Sequence, residues 1–288
     1  MTTSTSRQPL DQSLLQSLLD ASAERAAGDA PRWRLEVVDE TGSTNADVIS
    51  AAAGAAAEGL VRVAEFQHGG RGRLDRTWVS PAGAGLTFSM LIRPVVALSQ
   101  WSWLPLLTGV ALAETVEAAG VPSSLKWPND LLVGPEQRKV AGILLQLGPA
   151  SPAVPTGPAA AVVGVGLNVS TTNGELPVQT ATSLVLQGGE MTDRGRLLVD
   201  FLGRFAASYR SWQAADGNAQ LSGLAQQYHD RCATLGNVVN VELPGEVVRG
   251  TAVDIDDEGR LLVAAANDGA PPRAIAAGDV THLRSDSR

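Results

Sequence analysis

Apolar residues recur along this chain with two different periods, and the change of period divides it. Leu35-Glu36-Val37-Val38 predicts a strand, and the alanine-rich stretch after Thr41-Gly42-Ser43-Thr44-Asn45 predicts a helix to about Ala57, with Ser43 or Thr44 placed to cap it. Val61 to Gln67 predicts the next strand. Leu86-Thr87-Phe88-Ser89-Met90-Leu91-Ile92 is near-continuously apolar, the pattern of a buried strand. Pro105 to Ala119 predicts a helix with proline in its first turn and Gly120 as its stop. Lys139 to Gln146 and Ala160 to Val169 predict further strands. Asp193 to Trp212 is an amphipathic helix whose apolar face is Leu197, Leu198, Phe201, Leu202 and Phe205, and a further helix is expected from about Asn218 to Cys232.

From Asn237 the pattern turns to short alternating runs: Val238 to Leu243, Val247 to Ile255, Leu261 to Ala265 and Arg273 to Ala276. Turns fall at Pro244-Gly245, Asp256-Asp257-Glu258-Gly259 and Asn267-Asp268-Gly269, and Thr281 to Arg284 can add a last strand. This predicts a small all-β barrel. At the other end, residues 1–30 are rich in Ser, Gln and Ala, with Leu10, Leu14, Leu15, Leu18 and Leu19 on one face of a short helix starting near Asp11. The expectation there is a partly ordered tail. Residues 148–158, rich in Pro, Gly and Ala, read as a loose connection between strands. The expected division is a tail over 1–30, a larger unit over 31–234 and a barrel over 235–288.

Composition narrows what such a chain can do. It has 288 residues, of which 44% are hydrophobic, with net charge −8 and pI about 4.9. An acidic surface argues against general nucleic-acid affinity. One cysteine, Cys232, excludes an intrachain disulfide, and His68, His229 and His282 lack metal-ligand spacing. No apolar run reaches the ~18 residues of a membrane span and no signal peptide is visible, so a cytoplasmic protein is expected.

Against that acidic background, Gly69-Gly70-Arg71-Gly72-Arg73-Leu74-Asp75-Arg76-Thr77-Trp78 is a positive island. Glycine lets backbone N–H groups approach a ligand, and arginine offers a planar fork of donors for carboxylate or phosphate. A discrete small anion fits such an island better than a polyanion. The clustered arginines repel one another, which predicts a loop from His68 to about Gly83 that an anionic ligand orders. Three further stretches carry chemistry. In Lys126-Trp127-Pro128-Asn129-Asp130, proline holds Trp127 extended and sets Asn129 and Asp130 in a turn. Lys139 begins a strand in which Gly142 suggests close approach of a ligand or backbone. Gly164-Val165-Gly166-Leu167-Asn168 lacks the third glycine and following helix of a dinucleotide fingerprint.

Taken in order, these stretches resemble the biotin–protein ligases: Gly70-Arg71-Gly72-Arg73 with Arg76 and Trp78, Lys126 to Asp130, Lys139-Val140-Ala141-Gly142-Ile143-Leu144, and Gly164 to Val169. The likeness runs from about Trp33 to Arg284 and includes Thr41 to Asn45. It is to the single-function type, without the N-terminal DNA-binding domain of the bifunctional type. Two departures stand out: Asp75 where the family usually has glycine, and His68-Gly69 where it usually has a small or apolar pair.

The resemblance implies an α+β fold: a mixed-sheet catalytic domain like those of class II aminoacyl-tRNA synthetases, followed by an SH3-like barrel. It implies that biotin and ATP, with Mg2+, give biotinyl-5′-adenylate, which a lysine of the biotin carboxyl carrier domain of an acyl-CoA carboxylase then attacks. Lys139, Arg71 and Arg73 would be catalytic. Ser43, Thr44, Asn45, Gln67, Arg71, Gly72, Arg73, Lys139 and Gly142 would bind biotin, and Arg76, Trp78, Asn129 and Asn168 the nucleotide. Asp75 would compete with phosphate for the arginines. The expected partner is the carrier domain, with no nucleic acid and no membrane, and the protein a monomer or weak homodimer. A lipoate–protein ligase and a non-catalytic biotin sensor are the alternatives, opposed respectively by the Gly-Arg-Gly-Arg loop and by Lys139.

Overall fold

The computed structural model describes residues 7–25, 31–54, 56–150, 159–265 and 270–282. In chain order the elements are α1 (Gln12–Arg25), β1 (Arg34–Thr41), α2 (Thr44–Ala53), β2 (Leu60–Gln67), β3 (Gly85–Ile92), α3 (Trp103–Ala118), β4 (Ser123–Lys126), β5 (Asp130–Val133), β6 (Arg138–Gly148), β7 (Ala160–Asn168), α4 (Arg194–Ala214) and α5 (Leu224–His229). The second group is β8 (Val238–Leu243), β9 (Glu246–Ile255), β10 (Leu261–Ala264), β11 (Arg273–Ile275) and β12 (Asp279–His282). The first seven strands form a mixed sheet in the order β1-β2-β3-β7-β6-β5-β4, in which only β1 and β2 pair in parallel. The last five form an antiparallel sheet ordered β11-β10-β9-β8-β12. No described helix is long and apolar enough to cross a membrane.

The central strand β7 shows how one sequence serves both faces. Val163, Val165 and Leu167 point into the main core under α3 and α4, while Ala160 and Val162 point the other way, beneath α2. The same outward face continues as Gly164, Gly166 and Asn168, beyond the reach of α2, and these residues line a cavity. β3 follows the same rule: Phe88, Met90 and Ile92 face the main core, and Leu91 faces α2. α3 is apolar nearly all round and is accordingly sunk in the core, with Trp103, Leu107 and Val110 fully covered. The predicted face of α4 is buried throughout, and Asp193 caps that helix by accepting the Arg196 N–H at 2.7 Å.

The structure corrects several expectations. Ser43 sits at the N-cap of α2 but its side chain makes no capping bond. The stretch around Trp127-Pro128-Asn129, with a cis Trp127–Pro128 bond, joins a β4–β5 hairpin that the sequence did not suggest. The helix expected over 218–232 shrinks to α5, because Gly223 at φ 77° breaks the stretch before Leu224. Residues 151–158 and 266–269, expected as a connection and a turn, lie outside the described residues, as do Leu283 and Arg284.

The N-terminal leucines divide unequally. Leu15 and Leu19 are buried, whereas Leu14 is 56% and Leu18 41% exposed. α1 also covers the free edge of the sheet, where a strand has unpaired N–H groups. Gln16 Oε1 accepts the Leu35 N–H and Gln12 Oε1 accepts the Val37 N–H, both at 2.8 Å. Helix and edge therefore fold as a unit. Leu15→Ala should cost about 2–5 kcal/mol in denaturant unfolding, while Leu14→Ala should stay within about 0.5 kcal/mol. Equal effects would place α1 off the domain.

The barrel shares its core with the larger sheet. Val239, Val241, Ile255, Leu261 and Val280 belong to one continuous apolar cluster with α3 and β7. Its 256–259 turn reaches the larger unit through two indoles, one at the start of α3 and one in the β4–β5 turn: Trp103 Nε1–H donates to the Asp257 carbonyl at 2.9 Å, and Trp127 Nε1–H to the Gly259 carbonyl at 3.1 Å. Trp127 is thereby a structural anchor of the barrel.

Candidate active site

The cavity on the outward face of the sheet has a volume of about 1920 Å³ and is walled by β2, the N-terminus of α2, the arginine loop, β6, β7 and the barrel edge. That exceeds the roughly 300–1,000 Å³ of an ordinary small-molecule pocket, and leaves room for two substrates. Every residue singled out from the sequence as binding or catalytic lines it.

Its floor is bare backbone. Gly142 of β6 pairs in register with Gly166 of β7, and Gly164 lies two residues away. A Cβ at Gly166 would stand 2.3 Å from the Trp78 ring, and one at Gly164 only 2.1 Å from Asn45 Oδ1. Trp78 therefore rests flat against a surface that glycine alone leaves open. Its indole N–H is buried with no partner among the described residues.

At one end of the floor a polar network is assembled. Gln67 Oε1 accepts from the Thr44 N–H at 2.8 Å and from the Thr44 hydroxyl at 3.1 Å. The Thr44 hydroxyl meets Ser89 Oγ at 2.7 Å, Ser89 donates to Asn45 Oδ1, and Asn45 Nδ2 donates to Gln146 Oε1 at 2.8 Å. Thr44, Asn45 and Ser89 are buried. Ser89 and Gln146 were not foreseen, since neither belongs to a recognisable motif and only strand register brings them here. Such an array offers hydrogen-bond donors and acceptors suited to a neutral polar ring.

The arginine loop is folded as a small hairpin. Trp78 N–H donates to the Gly70 carbonyl at 2.9 Å, Gly72 N–H to the Arg76 carbonyl at 2.6 Å, and Arg71 bridges Thr77. Its base is tied to the 41–42 turn by His68 N–H to Thr41 and Gly69 N–H to Gly42. Leu74 and Asp75 both have positive φ, 53° and 57°. Glycine would take the Asp75 conformation at no steric cost, and aspartate tolerates it better than most residues. Asp75 is exposed and pairs with no arginine among the described residues, so the expected competition for the loop arginines is not what the structure shows. Arg73 instead donates to Asn129 Oδ1 at 3.3 Å, Arg76 pairs with Asp279, and Arg71 has no side-chain partner among the described residues. Burial lowers the Arg73 pKa, an effect the like charge of Arg76 adds to and Asp130 and Asp279 oppose. Hydrogen bonding to Asp279 chiefly raises that of Arg76.

Lys139 stands across the floor from the loop. Its backbone is held on both sides of the 180–182 segment, donating to the Thr180 carbonyl at 2.8 Å and accepting the Thr182 N–H at 2.9 Å. Its Nζ lies 2.6 Å from Asp130 Oδ1 and 5.9 Å from the centre of the Trp78 ring. Asn129 Nδ2 donates to the Ile143 carbonyl at 3.0 Å, so Asn129 links β6 to Arg73. Asn168 is buried and donates to the Thr182 carbonyl at 3.0 Å, which makes it a support for the Lys139 segment. Asp130 appeared in the sequence only as part of a turn; its pairing with Lys139 follows from the β5–β6 register.

The chain is similar to known proteins over most of its length. Residues 38–168 match the Biotin/lipoate A/B protein ligase family, and residues 234–283 match the Biotin protein ligase C terminal domain. The biotin--[acetyl-CoA-carboxylase] ligase of Mycobacterium tuberculosis is 41% identical over 96% of this chain and 97% of its own length. The bifunctional ligase/repressor BirA of Escherichia coli is 33% identical, over 80% of this chain and 68% of its own. Among solved structures, the biotin protein ligase of Aquifex aeolicus in complex with biotin and ATP superposes with a TM-score of 0.69 at 28% identity, over 88% of this chain and 99% of that one.

Proposed function

The chain belongs to the biotin/lipoate A/B protein ligase family, and on that premise we propose that it is an ATP-dependent biotin–protein ligase. It joins biotin to ATP to give biotinyl-5′-adenylate and pyrophosphate, then passes the biotinyl group to a lysine of the carrier domain of an acyl-CoA carboxylase. The observation that carries this reading is the meeting of Lys139, Arg71, Arg73 and a neutral hydrogen-bonding array over one glycine floor. In this reading residues 31–234 are the catalytic unit and 235–288 the barrel.

In the first step the biotin carboxylate attacks the α-phosphate, and pyrophosphate leaves. Two anions must meet, so positive charge fixed beforehand at that point is worth most. Lys139 lies between the two substrates, held in place by Asp130 and the 180–182 segment. Arg71 and Arg73 face it from the loop. Thr44, Asn45 and Gln67, with Ser43 beside them, receive the ureido ring. Gly72 brings loop backbone near the carboxylate, and Gly142 lets the ring lie close to β6. Trp78 packs along the adenylate. Arg76 meets the phosphates, and Asn129 holds Arg73 towards them. Asn168 acts on the nucleotide side by holding the 180–182 segment. Among the described residues there is no cluster of three metal-ligating side chains, and Asp130 is a carboxylate at the nucleotide end. That donor set fits Mg2+ carried in on ATP, which one or two carboxylates and phosphates hold. Bound there with ATP, the ion would offset phosphate charge.

In the second step the carrier lysine, as the free amine, attacks the adenylate carbonyl. An amide forms, AMP leaves and the amine's proton is lost. Covering the labile adenylate with the loop and Trp78 keeps water from competing. The carrier domain is the protein partner, nucleic acid is not, and the enzyme works in the cytoplasm as a monomer or weak homodimer. Pyrophosphate release measured with biotin, and separately with lipoate, tests the reading. Release with biotin and ATP is expected. Release with lipoate alone would make this a lipoate ligase, and release with neither would leave a binding protein.

A further inference from the structure

The barrel sends one side chain back to the arginine loop. Arg76 pairs with Asp279, the first residue of β12, across 203 positions of sequence. The carboxylate is firmly placed. The Asp279 backbone lies opposite Glu242 in the β12–β8 ladder, and the preceding Gly278 is packed so closely on β8 that a Cβ there would stand 2.5 Å from Val241. The barrel in turn is tied to α3 and to the β4–β5 turn through Trp103 and Trp127. On the loop side, the Arg76 backbone closes the hairpin, since its carbonyl accepts from Gly72 and its N–H donates to Arg73. Fixing the guanidinium therefore fixes the turn that carries Arg71 and Arg73.

We propose that Asp279 is a positioning residue that clasps the arginine loop over the bound adenylate. A carboxylate repels phosphate, so Asp279 does not bind the nucleotide; it acts through Arg76. The Arg76 side chain is 62% exposed and that of Asp279 24%. A pair so placed supplies a modest effect, roughly two- to fivefold in a rate. This rests on the proposed adenylate chemistry, so the test begins by forming biotinyl-adenylate on the wild-type protein. If none forms, the parent reading fails, separately from this one.

With adenylate formed, its dissociation is followed in wild type, Asp279→Asn, Asp279→Ser and Asp279→Glu. Both neutral variants should release adenylate about two- to fivefold faster, with kcat for pyrophosphate release at saturating substrates within about twofold. Asp279→Glu should restore slow release. Raising salt from about 0.1 M to about 1 M shortens the screening length from ~10 Å to ~3 Å. That should quicken release from wild type more than from Asp279→Asn, in which only the contacts of the arginines and Lys139 to phosphate remain to be screened. Release at the wild-type rate in both neutral variants, or the same salt response in Asp279→Asn as in wild type, would overturn the clasp. So would slower release, which would mean that Asp279 draws Arg76 away from the ligand. The salt response of the wild type also gives an answer if a variant fails to fold: no response contradicts the clasp.

Discussion

Lys139→Ala should slow adenylate formation by about a hundredfold or more, the range for losing one preorganised charge at a transition state. Two backbone bonds pin the Lys139 main chain to the 180–182 segment, and the ammonium itself stands 2.6 Å from Asp130 Oδ1. A lysine so placed is not a solvated surface residue, although its position at the start of a strand suggests one. Biotin binding should fall far less than turnover, because Thr44, Asn45 and Gln67, the groups proposed to take the neutral ring, lie at the other end of the floor. Single-turnover pyrophosphate release with a matched biotin titration separates the two. A variant that releases pyrophosphate near the wild-type rate would take Lys139 out of the chemistry.

Gly166→Val should raise the KM for ATP by about five- to a hundredfold, with a smaller change in biotin affinity. Even the first added carbon would stand 2.3 to 2.7 Å from three atoms of the Trp78 indole. The ring must lift from the floor, and overpacking of this kind costs about 1–3 kcal/mol, where ~1.4 kcal/mol is tenfold. Gly174→Val is the control, as nothing lies within 4 Å of its added carbon. Initial rates against ATP at saturating biotin, with a thermal melt of each variant, decide the matter. An unchanged KM in a folded Gly166→Val protein would mean that the nucleotide does not use the Trp78 surface.

What the sequence discloses and what it hides follow one physical line. The motifs are local, so their residue types alone announce a cavity for small anions beside polar groups. Their partners are not local. Asp130 meets Lys139 through the β5–β6 pairing, Ser89 meets Asn45 across 44 residues, and Asp279 meets Arg76 across 203. The pair Gly164 and Gly166 was visible, but its use as a floor depends on Gly142 standing opposite in register. Asp75 misled for the opposite reason. Its nearness in sequence suggested a charge against the arginines, whereas its left-handed backbone leaves it exposed on the turn. The helix expected near Asp11 is present as α1, but which of its leucines are buried and the capping of the sheet edge by its two glutamines emerge only with β1 beside it.

The joining of biotin to a protein lysine with cleavage of ATP is open to intact-mass spectrometry of a purified biotin carboxyl carrier domain, incubated with the enzyme, biotin, ATP and Mg2+. The domain should gain the mass of one biotinyl group on one lysine, dependent on ATP and nearly abolished by Lys139→Ala. A carrier domain that stays unmodified while the same enzyme preparation is folded, or that is modified with lipoate in place of biotin, would contradict it.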